Sequence, residues 1–524
     1  MSATANSPIT LETPFSTLPD LITQHGEHRA EHPALVQDGR RVNFSELDQM
    51  VTRVAAALQR DGVKPGESIA VCASNSINYA ILYLGTLRAG AVVAPLAPSS
   101  TPEGLLTMLK DSAARLFFVD QSTDRALQPV RERITVPVLS LDDSSVEQGF
   151  SNWLADVDAS AAPVVIIPEM PFNIIYSSGT TGEPKGIVQS HGMRWSHIQR
   201  GLVFGYGPEC VTLISTPLYS NTTLVSFLPS LGLGGTVVLM AKFDAARYLQ
   251  LAEQHAATHT MLVPVQYQRI MAREDFDSYD LSAFKIKFST SAPFHAELKA
   301  DILARWPGGL VEFYGMTEGG GSCMLPAHQF PDKLATVGKP LENHDMRVID
   351  EDGNELPRGE IGEVVGHSPA MMTGYLNKPE KTAEAEWYDH TGKRFIRTGD
   401  VGRFDEEGFL TLMDRRKDMI ISGGFNIYPS DLEMELRQHP DLLEVTVIGV
   451  QSRSWGETPV GYAVARPGKT VDAESALQWF NQRVGKTQRL NRLILTDELP
   501  RSAIGKVLKR ELRDSFQAEF GELD

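Results

Sequence analysis

The densest chemistry in the chain lies in eleven residues, Tyr176-Ser177-Ser178-Gly179-Thr180-Thr181-Gly182-Glu183-Pro184-Lys185-Gly186, directly after the apolar run Phe172-Asn173-Ile174-Ile175. The glycines let backbone N–H groups turn toward one anion, the Ser and Thr hydroxyls add donors, and Lys185 adds a positive charge, so the loop suits a polyphosphate. It lacks the G-x-x-x-x-G-K-[ST] spacing of Walker-type loops, which points to another class of nucleotide binder.

Such a loop needs rigid elements to hold it, and the first third of the chain supplies them by alternation. Phe44 to Arg60 repeats apolar residues at helical spacing, Ser68 to Ala73 reads as a strand, Ile77 to Arg88 as a helix, and Gly90 to Pro95 ends in a buried strand. The pattern returns at Pro171 to Ser177, Thr236 to Met240 and Thr260 to Val263. Alternation of this kind predicts an α/β, doubly wound architecture with parallel strands and helices on both faces. From about 336 to 413 short strands separated by turns such as Glu351-Asp352-Gly353-Asn354 predict a small antiparallel, barrel-like β unit. Beyond it, Pro429 to Gln438 (helix), Val445 to Val450 (strand) and Ala473 to Val484 (helix) predict a compact α+β domain. The expected division is residues 1–414 as a large N-terminal part (α/β subdomains of about 1–170 and 171–335, then the β unit), a hinge at 415–417, and a C-terminal domain of 418–524.

Bulk properties narrow the field. A chain of 524 residues exceeds one ordinary core, and 42% apolar with 22% charged residues is the composition of a folded protein. A formal charge of −17 leaves no broad cationic field, so no nucleic-acid role is expected; Arg415-Arg416-Lys417 and the cluster from Lys506 to Arg513 are too short to provide one. Cys72, Cys210 and Cys323 form no C-x-x-C pair, which argues against a disulfide framework or a zinc site and fits a reducing, cytoplasmic setting. Met1 to Phe15 carries no Lys or Arg, against a secretory signal, and the apolar stretch from Leu224 to Met240 is broken by serines, glycines and Pro229, so no membrane span is expected.

Four further motifs follow the loop in order: Tyr314-Gly315-Met316-Thr317-Glu318; Arg397-Thr398-Gly399-Asp400; Asp414-Arg415-Arg416-Lys417-Asp418 with Gly423-Gly424-Phe425-Asn426-Ile427-Tyr428-Pro429; and Pro500-Arg501-Ser502-Ala503-Ile504-Gly505-Lys506. With these motifs, and over about residues 30 to 512, the chain resembles the adenylate-forming superfamily of acyl-CoA synthetases, peptide-synthetase adenylation domains and beetle luciferases, in pattern nearest to acid:CoA ligases. The resemblance implies ATP, Mg²⁺ and coenzyme A as cofactor and co-substrates, a small carboxylic acid as substrate, and is compatible with a homodimer. It implies that Ser177, Ser178, Gly179, Thr180, Thr181, Gly182 and Lys185 bind the ATP phosphates, that Glu318 holds Mg²⁺ and that Thr317 contacts the α-phosphate. Asp400 would accept the ribose hydroxyls with Arg415 in support, and the adenine would lie against Ser291, Ala292, Pro293, Glu312, Phe313, Tyr314 and Gly315. Lys506 takes the place of the principal catalytic cation, and Lys417 that of a hinge about which the C-terminal domain swings. In the second arrangement Gly423, Gly424 and Phe425 would approach the pantetheine arm of CoA, small residues leaving it room.

The acyl pocket implied by the resemblance is lined by Tyr219, Ser220 and Asn221 and by Gly315, Met316, Gly319 and Gly320. Many members carry His where this chain has Ser220, which removes a bulky polar gate, and the run Gly319-Gly320-Gly321 could deepen the cavity. Aromatic or phenylpropanoid acids and medium-to-long aliphatic acids both fit. No Asp lies between Pro217 and Met240 to hold an ammonium, which disfavours an α-amino acid. The chain ends shortly after Lys506, so free CoA is the simplest acceptor, with a carrier protein in trans as the alternative. Luciferase-like oxidation of the adenylate and a non-catalytic binding role are the competing classes.

Overall fold

The computed structural model describes residues 9–144, 149–176, 184–415, 418–422, 425–502 and 505–523. They divide into two compact units. The first holds Met1–Ala335, Leu341–Asp345 and His367–Ile396; the second holds Thr336–Pro340, Met346–Gly366 and Arg397–Asp524. The expected β unit of about 336–413 is shared between the two, and Lys417, the expected hinge, lies outside the described residues.

In the first unit the expected helices and strands form where the pattern puts them. The helix Phe44–Arg60 starts at a capping box, in which Asn43 Oδ1 accepts from the Glu46 N–H at 2.8 Å and Glu46 Oε2 accepts from the Asn43 N–H at 3.0 Å. It packs along Ile77–Arg88 at Gly85, where any side chain would run into Val54. A seven-stranded sheet runs in the order Gly374–Tyr375, Gly186–Ser190, Pro171–Tyr176, Val92–Pro95, Ser68–Cys72, Leu116–Val119, Val138–Ser140. A second sheet runs Ser322–Pro326, Gly309–Gly315, Ile286–Ser289, His259–Leu262, Val211–Ile214, Thr236–Leu239, Pro33–Gln37, Arg40–Asn43. The centres are parallel as expected, but the edges are not: Gly186–Ser190 runs antiparallel to Pro171–Tyr176, and Ser322–Pro326 antiparallel to Gly309–Gly315. Chain reversal through a short loop costs little entropy, whereas each parallel neighbour needs a crossover, so antiparallel edges appear where the chain turns straight back. One continuous core joins the two sheets, from Leu35, Phe44 and Val54 through Ile81 and Leu84 to Phe227, Val237 and Phe288.

The second unit carries two sheets of short and long strands. Gly362–His367 lies between Asp345–Ile349 and Arg394–Phe404, and Leu410–Arg415 pairs antiparallel with the latter. The C-terminal sheet runs Phe425–Ile427, Ile420–Ser422, Gly456–Ala465, Leu442–Ser452, with Arg492–Leu495 parallel to Gly456–Ala465. The helices Pro429–Leu436 and Ala473–Asn481 cover it through Leu432, Leu436, Ala476 and Phe480, a core of its own. No helix among the described residues is long and apolar enough to cross a membrane, and the three cysteines are free and buried.

Two histidines are sealed into the first unit. His191 and His259 are 2% and 0% exposed, and burial pushes each ring down to about 4. In the unfolded chain these rings take a proton near the ordinary value of 6.5, so in the window between 4 and 6.5 the unfolded state binds more protons and stability falls as pH falls. From about pH 7.5 to about pH 5 the loss is about 2 kcal/mol per ring. Thermal unfolding across this range is expected to show a falling midpoint, and His191→Phe, whose ring cannot charge against Phe172, is expected to fall less; equal slopes for the two proteins would contradict this.

Candidate active site

The expected phosphate loop joins two antiparallel strands, with Tyr176 directly opposite Gly186. The strands before and after it thus run antiparallel to each other, whereas a Walker loop leads from a strand into a helix. Ser177, Ser178, Gly179, Thr180, Thr181 and Gly182 lie outside the described residues, but both stems are fixed. Tyr176 donates its hydroxyl to Asp111 Oδ2 at 2.8 Å, and at Gly186 an added Cβ would press into Ile174 and the Tyr176 ring.

At the return stem, Lys185 Nζ lies 4.3 Å from the centroid of the Tyr375 ring. The Tyr375 hydroxyl donates to Glu318 Oε1 at 2.7 Å. A cation, an aromatic face and a carboxylate thus stand in a row, drawn from three distant parts of the sequence. Tyr375 reaches this place because Gly374–Tyr375 pairs antiparallel with Gly186–Ser190, Tyr375 opposite Ile187. Burial, with the Glu318 charge beside it, holds the phenol well above its usual range, so it remains a donor.

The loop carrying Thr317 and Glu318 is held through its backbone. The Thr317 carbonyl accepts from Gln189 Nε2 at 2.7 Å, and the Glu318 carbonyl accepts from the Met372 N–H at 2.8 Å. Gly319 adopts φ +75°, with Ser368 Oγ donating to its carbonyl at 2.6 Å. A side chain there would collide with the Ala370 carbonyl, so the small residues after the Glu serve close backbone approach as much as cavity depth.

Behind this loop lies a buried polar network. Gln189 Oε1 accepts from Asn173 Nδ2 at 2.9 Å and from Arg194 Nη2; Arg194 Nε donates to Asn173 Oδ1 at 3.0 Å and Nη1 to Asn221 Oδ1 at 2.8 Å. Asn221, expected to line the acyl pocket, is thereby tied to the motif at Thr317. Ser220 caps the helix Asn221–Gly232, its Oγ accepting from the Thr222 N–H at 3.3 Å, so the residue standing in place of a His is a buried cap. Asn75 fastens the preceding segment, donating to the Thr216 and Met240 carbonyls and accepting from the Leu218 N–H at 2.7 Å. Tyr219 is half-buried.

Of the expected adenine contacts, Ser291 has φ +80°, uncommon for a residue with a side chain, and its Oγ lies 2.6 Å from Thr222 Oγ1. Ala292 and Pro293 follow it before the helix Ala296–Arg305. Along the strand Gly309–Gly315 side chains alternate. Glu312 is buried in an ion pair with Lys299, and burial pushes its carboxyl up to about 7. Phe313 leaves the other face, stacking on Phe288 with centroids 5.9 Å apart and meeting Phe204 edge-on, which leaves Tyr314 as the half-buried ring on the Glu312 side. At Gly315 an added Cβ would meet the Ser322 hydroxyl, and Met316 packs on the small cluster of Ile187, Met372 and Tyr375.

In the second unit, Asp400 stands opposite Arg415 across the antiparallel ladder, which brings the two expected ribose contacts onto neighbouring strands. Gly399, at φ +70°, and the Thr398 hydroxyl, which accepts from the Asp400 N–H at 3.1 Å and donates to the Val364 carbonyl, set its backbone. Lys506 ends a tight loop: its carbonyl accepts from the Ser502 N–H at 2.8 Å, and its N–H donates to Ser502 Oγ at 3.2 Å. Arg501 braces that loop, donating to the Gly505 carbonyl at 2.8 Å and to Glu444 Oε2 at 2.5 Å. Gly423 and Gly424 lie outside the described residues, and Phe425 begins the strand Phe425–Ile427.

Among the described residues no three His, Cys, Asp or Glu side chains gather to hold a metal by themselves. Glu318 fits a shared ion instead, since Mg²⁺ keeps several waters and takes phosphate oxygens beside one carboxylate. Its Oε1 is engaged by Tyr375, and no described residue donates to Oε2. Sequence reasoning missed Tyr375, Gln189, Arg194 and Asn75. The first sits on a two-residue strand with no periodicity to announce it, and the others belong to no motif, their partners lying in other elements.

Residues 22–376 match the AMP-binding enzyme family and residues 431–506 its C-terminal domain. A feruloyl-CoA synthase of Amycolatopsis sp is 32% identical over 490 residues, 92% of this chain and 96% of that protein. A fatty acid–[acyl-carrier-protein] ligase, ScoC, of Streptomyces coeruleorubidus is 29% identical over 512 residues, 96% of this chain and 97% of the other. The crystal structure of ATP-bound MatB from Rhodopseudomonas palustris superposes with a TM-score of 0.85 at 28% identity, covering 97% of this chain and all of MatB. With both family segments in order and a fold shared along nearly its whole length, the chain belongs to the adenylate-forming AMP-binding enzymes, the family of AMP-forming acid:CoA ligases.

Proposed function

We propose that the chain joins a carboxylic acid to coenzyme A in two steps. A carboxylate oxygen bonds to the α-phosphorus of ATP as the bond to pyrophosphate breaks, giving acyl-AMP; the CoA thiol then bonds to the acyl carbon, and AMP leaves. The observation that carries this reading is the row of Lys185, Tyr375 and Glu318. It holds a cation and a carboxylate of the kind that would take Mg²⁺ close to the strand that follows the glycine- and hydroxyl-rich segment.

In this reading Ser177 to Gly182 and Lys185 hold the phosphates, Glu318 would hold Mg²⁺, and Thr317 meets the α-phosphate. Asp400 with Arg415 holds the ribose, and Tyr314 offers its face to the base. The metal, when bound, neutralises charge on the phosphoryl oxygens. Lys506, on its braced loop, supplies the cation for the attacking carboxylate, and rotation about Lys417 exchanges it for Gly423, Gly424 and Phe425 in the thioester step. The acid is an aryl, phenylpropanoid or medium-to-long aliphatic one. A carrier-protein thiol is the second reading for the acceptor, favoured by the likeness to ScoC.

Incubation with ATP, Mg²⁺ and a panel of acids, with CoA or a phosphopantetheinylated carrier protein, followed by assay of AMP, pyrophosphate and thioester, tests the reading; AMP without thioester from either thiol would contradict it. Lys506→Ala is expected to lose adenylation by at least about a hundredfold, a transition-state cation being worth about 3 kcal/mol, while still converting preformed acyl-AMP to thioester. Equal loss in both halves would refute the exchange of arrangements. Tyr375→Phe keeps the ring under Lys185 and deletes one hydrogen bond to a carboxylate, worth about 1.5 kcal/mol or roughly tenfold. The expected result is a kcat for adenylation lowered about tenfold, with partial recovery at high Mg²⁺; no change at any Mg²⁺ concentration would remove Tyr375 from the site.

A further inference from the structure

The helix His191–Gly201 presents Arg194, His197 and Arg200 at successive spacings of three, one face of the helix. Arg194 is 1% exposed, and all its hydrogen-bond partners are neutral: Asn173, Gln189, Asn221 and His197 Nδ1 at 3.3 Å. Arg200 makes no ion pair with a described residue, and His344, from the segment Leu341–Asp345 of the same unit, lies within electrostatic reach of Arg200 and His197. His344 Nδ1 is buried and without a partner. The adjacent Asp345 is occupied by Lys393 at 2.8 Å, and His367, which also faces His344, hydrogen-bonds the Arg394 carbonyl. Four basic side chains therefore converge with no carboxylate from any described residue among them, in a chain whose formal charge is −17. Burial holds the His197 and His344 rings neutral, so the positive charge is that of Arg194 and Arg200, and burying the Arg194 guanidinium without a counter-ion costs several kcal/mol.

The cluster is tied to the expected acyl pocket. Arg194 bonds Asn221 and, through Gln189, the Thr317 carbonyl; the segment of His344 is hydrogen-bonded at Leu341 to the Ser322 carbonyl, just past Gly319 to Gly321. His197, Arg200 and His344 are only partly buried. We infer that the acid this enzyme activates is a dianion, whose second, non-reacting carboxylate is received by Arg200, His197 and His344, with Arg194 held by amides as a fixed positive charge beside them. The inference rests on acid activation itself and names the class of acid. A carboxylate there would satisfy the orphaned His344 nitrogen as a proton donor and supply the missing counter-charge.

The test compares acids matched in length that differ at the far end: glutarate against pentanoate, adipate against hexanoate, suberate against octanoate, and terephthalate against p-toluate, with acid-dependent AMP release as readout. At least one dianion is expected to exceed its partner at least about tenfold in kcat/KM, one charge-assisted hydrogen-bonded contact being worth about 1.5–3 kcal/mol. Arg200→Gln, and independently His344→Gln, are expected to lower the dianion-to-monoanion ratio by about tenfold, with the change mainly in KM because the contact is remote from the reacting bond. A wild-type preference for the monocarboxylates, or a ratio unmoved in both variants, would overturn the inference and leave acid activation standing. No AMP with any acid, aryl or aliphatic, would overturn both.

Discussion

A single side chain fixes how the two sheets of the first unit present their chemistry. Gln189 is fully buried on the strand Gly186–Ser190 of one sheet, and its amide donates to the Thr317 carbonyl, in the loop after the strand Gly309–Gly315 of the other. Its oxygen accepts from Asn173 and Arg194, so three of its four hydrogen-bonding capacities are filled within the core. Because an unsatisfied buried polar group costs 1–3 kcal/mol or so, the network has few alternatives: if the amide turns away, the Thr317 carbonyl and the Arg194 guanidinium both lose a partner. The strand Gly186–Ser190, the Glu-bearing loop and the helix that begins at Asn221 are thereby set with respect to one another.

That constraint bears on how an acidic protein handles anionic substrates. Cations spread over the surface would be outweighed by carboxylates, whereas cations held by neutral amides keep their field. Arg194 is such a case: its four partners carry no charge, so the guanidinium remains uncompensated, and burial pushes it down to about 10 without discharging it near neutrality. Glu312, on the strand Gly309–Gly315, shows the opposite arrangement, where Lys299 answers the buried carboxyl directly. One pair settles a structural charge, and the other arrangement leaves a charge available.

Those features of the site that follow from local composition were legible in the sequence. A loop rich in glycine and hydroxyls, a Thr-Glu pair, and an Asp and an Arg in separate motifs could be named, and the strand register pairs the backbones of the last two, Asp400 and Arg415. Helices such as Phe44–Arg60 and Ile77–Arg88 also declare themselves by period and cap. Tyr375 could not be found this way, because its role comes from pairing with Ile187, far away in the chain, on a strand too short to show alternation. Nothing local in the sequence marks Arg194 as a buried group; its bonds to Asn173, Gln189 and Asn221, from other elements, hold it inside. The antiparallel edges escaped notice for a related reason: apolar runs reveal a buried strand but not the direction of its neighbour.

The row of Lys185, Tyr375 and Glu318 shows what the intervening ring achieves. A direct ion pair between the lysine and the carboxylate would hold both in place, but each would then spend its charge on the other. Tyr375 meets the ammonium with its face and the carboxylate with its hydroxyl, and so restrains both groups while a ring's width separates them. Coulomb attraction falls with distance and with solvent between the charges. At this separation neither charge is spent on the other, and the second carboxylate oxygen is not engaged by the phenol. A phenol suits this position better than an ionisable group, since burial beside Glu318 keeps it protonated throughout the working range.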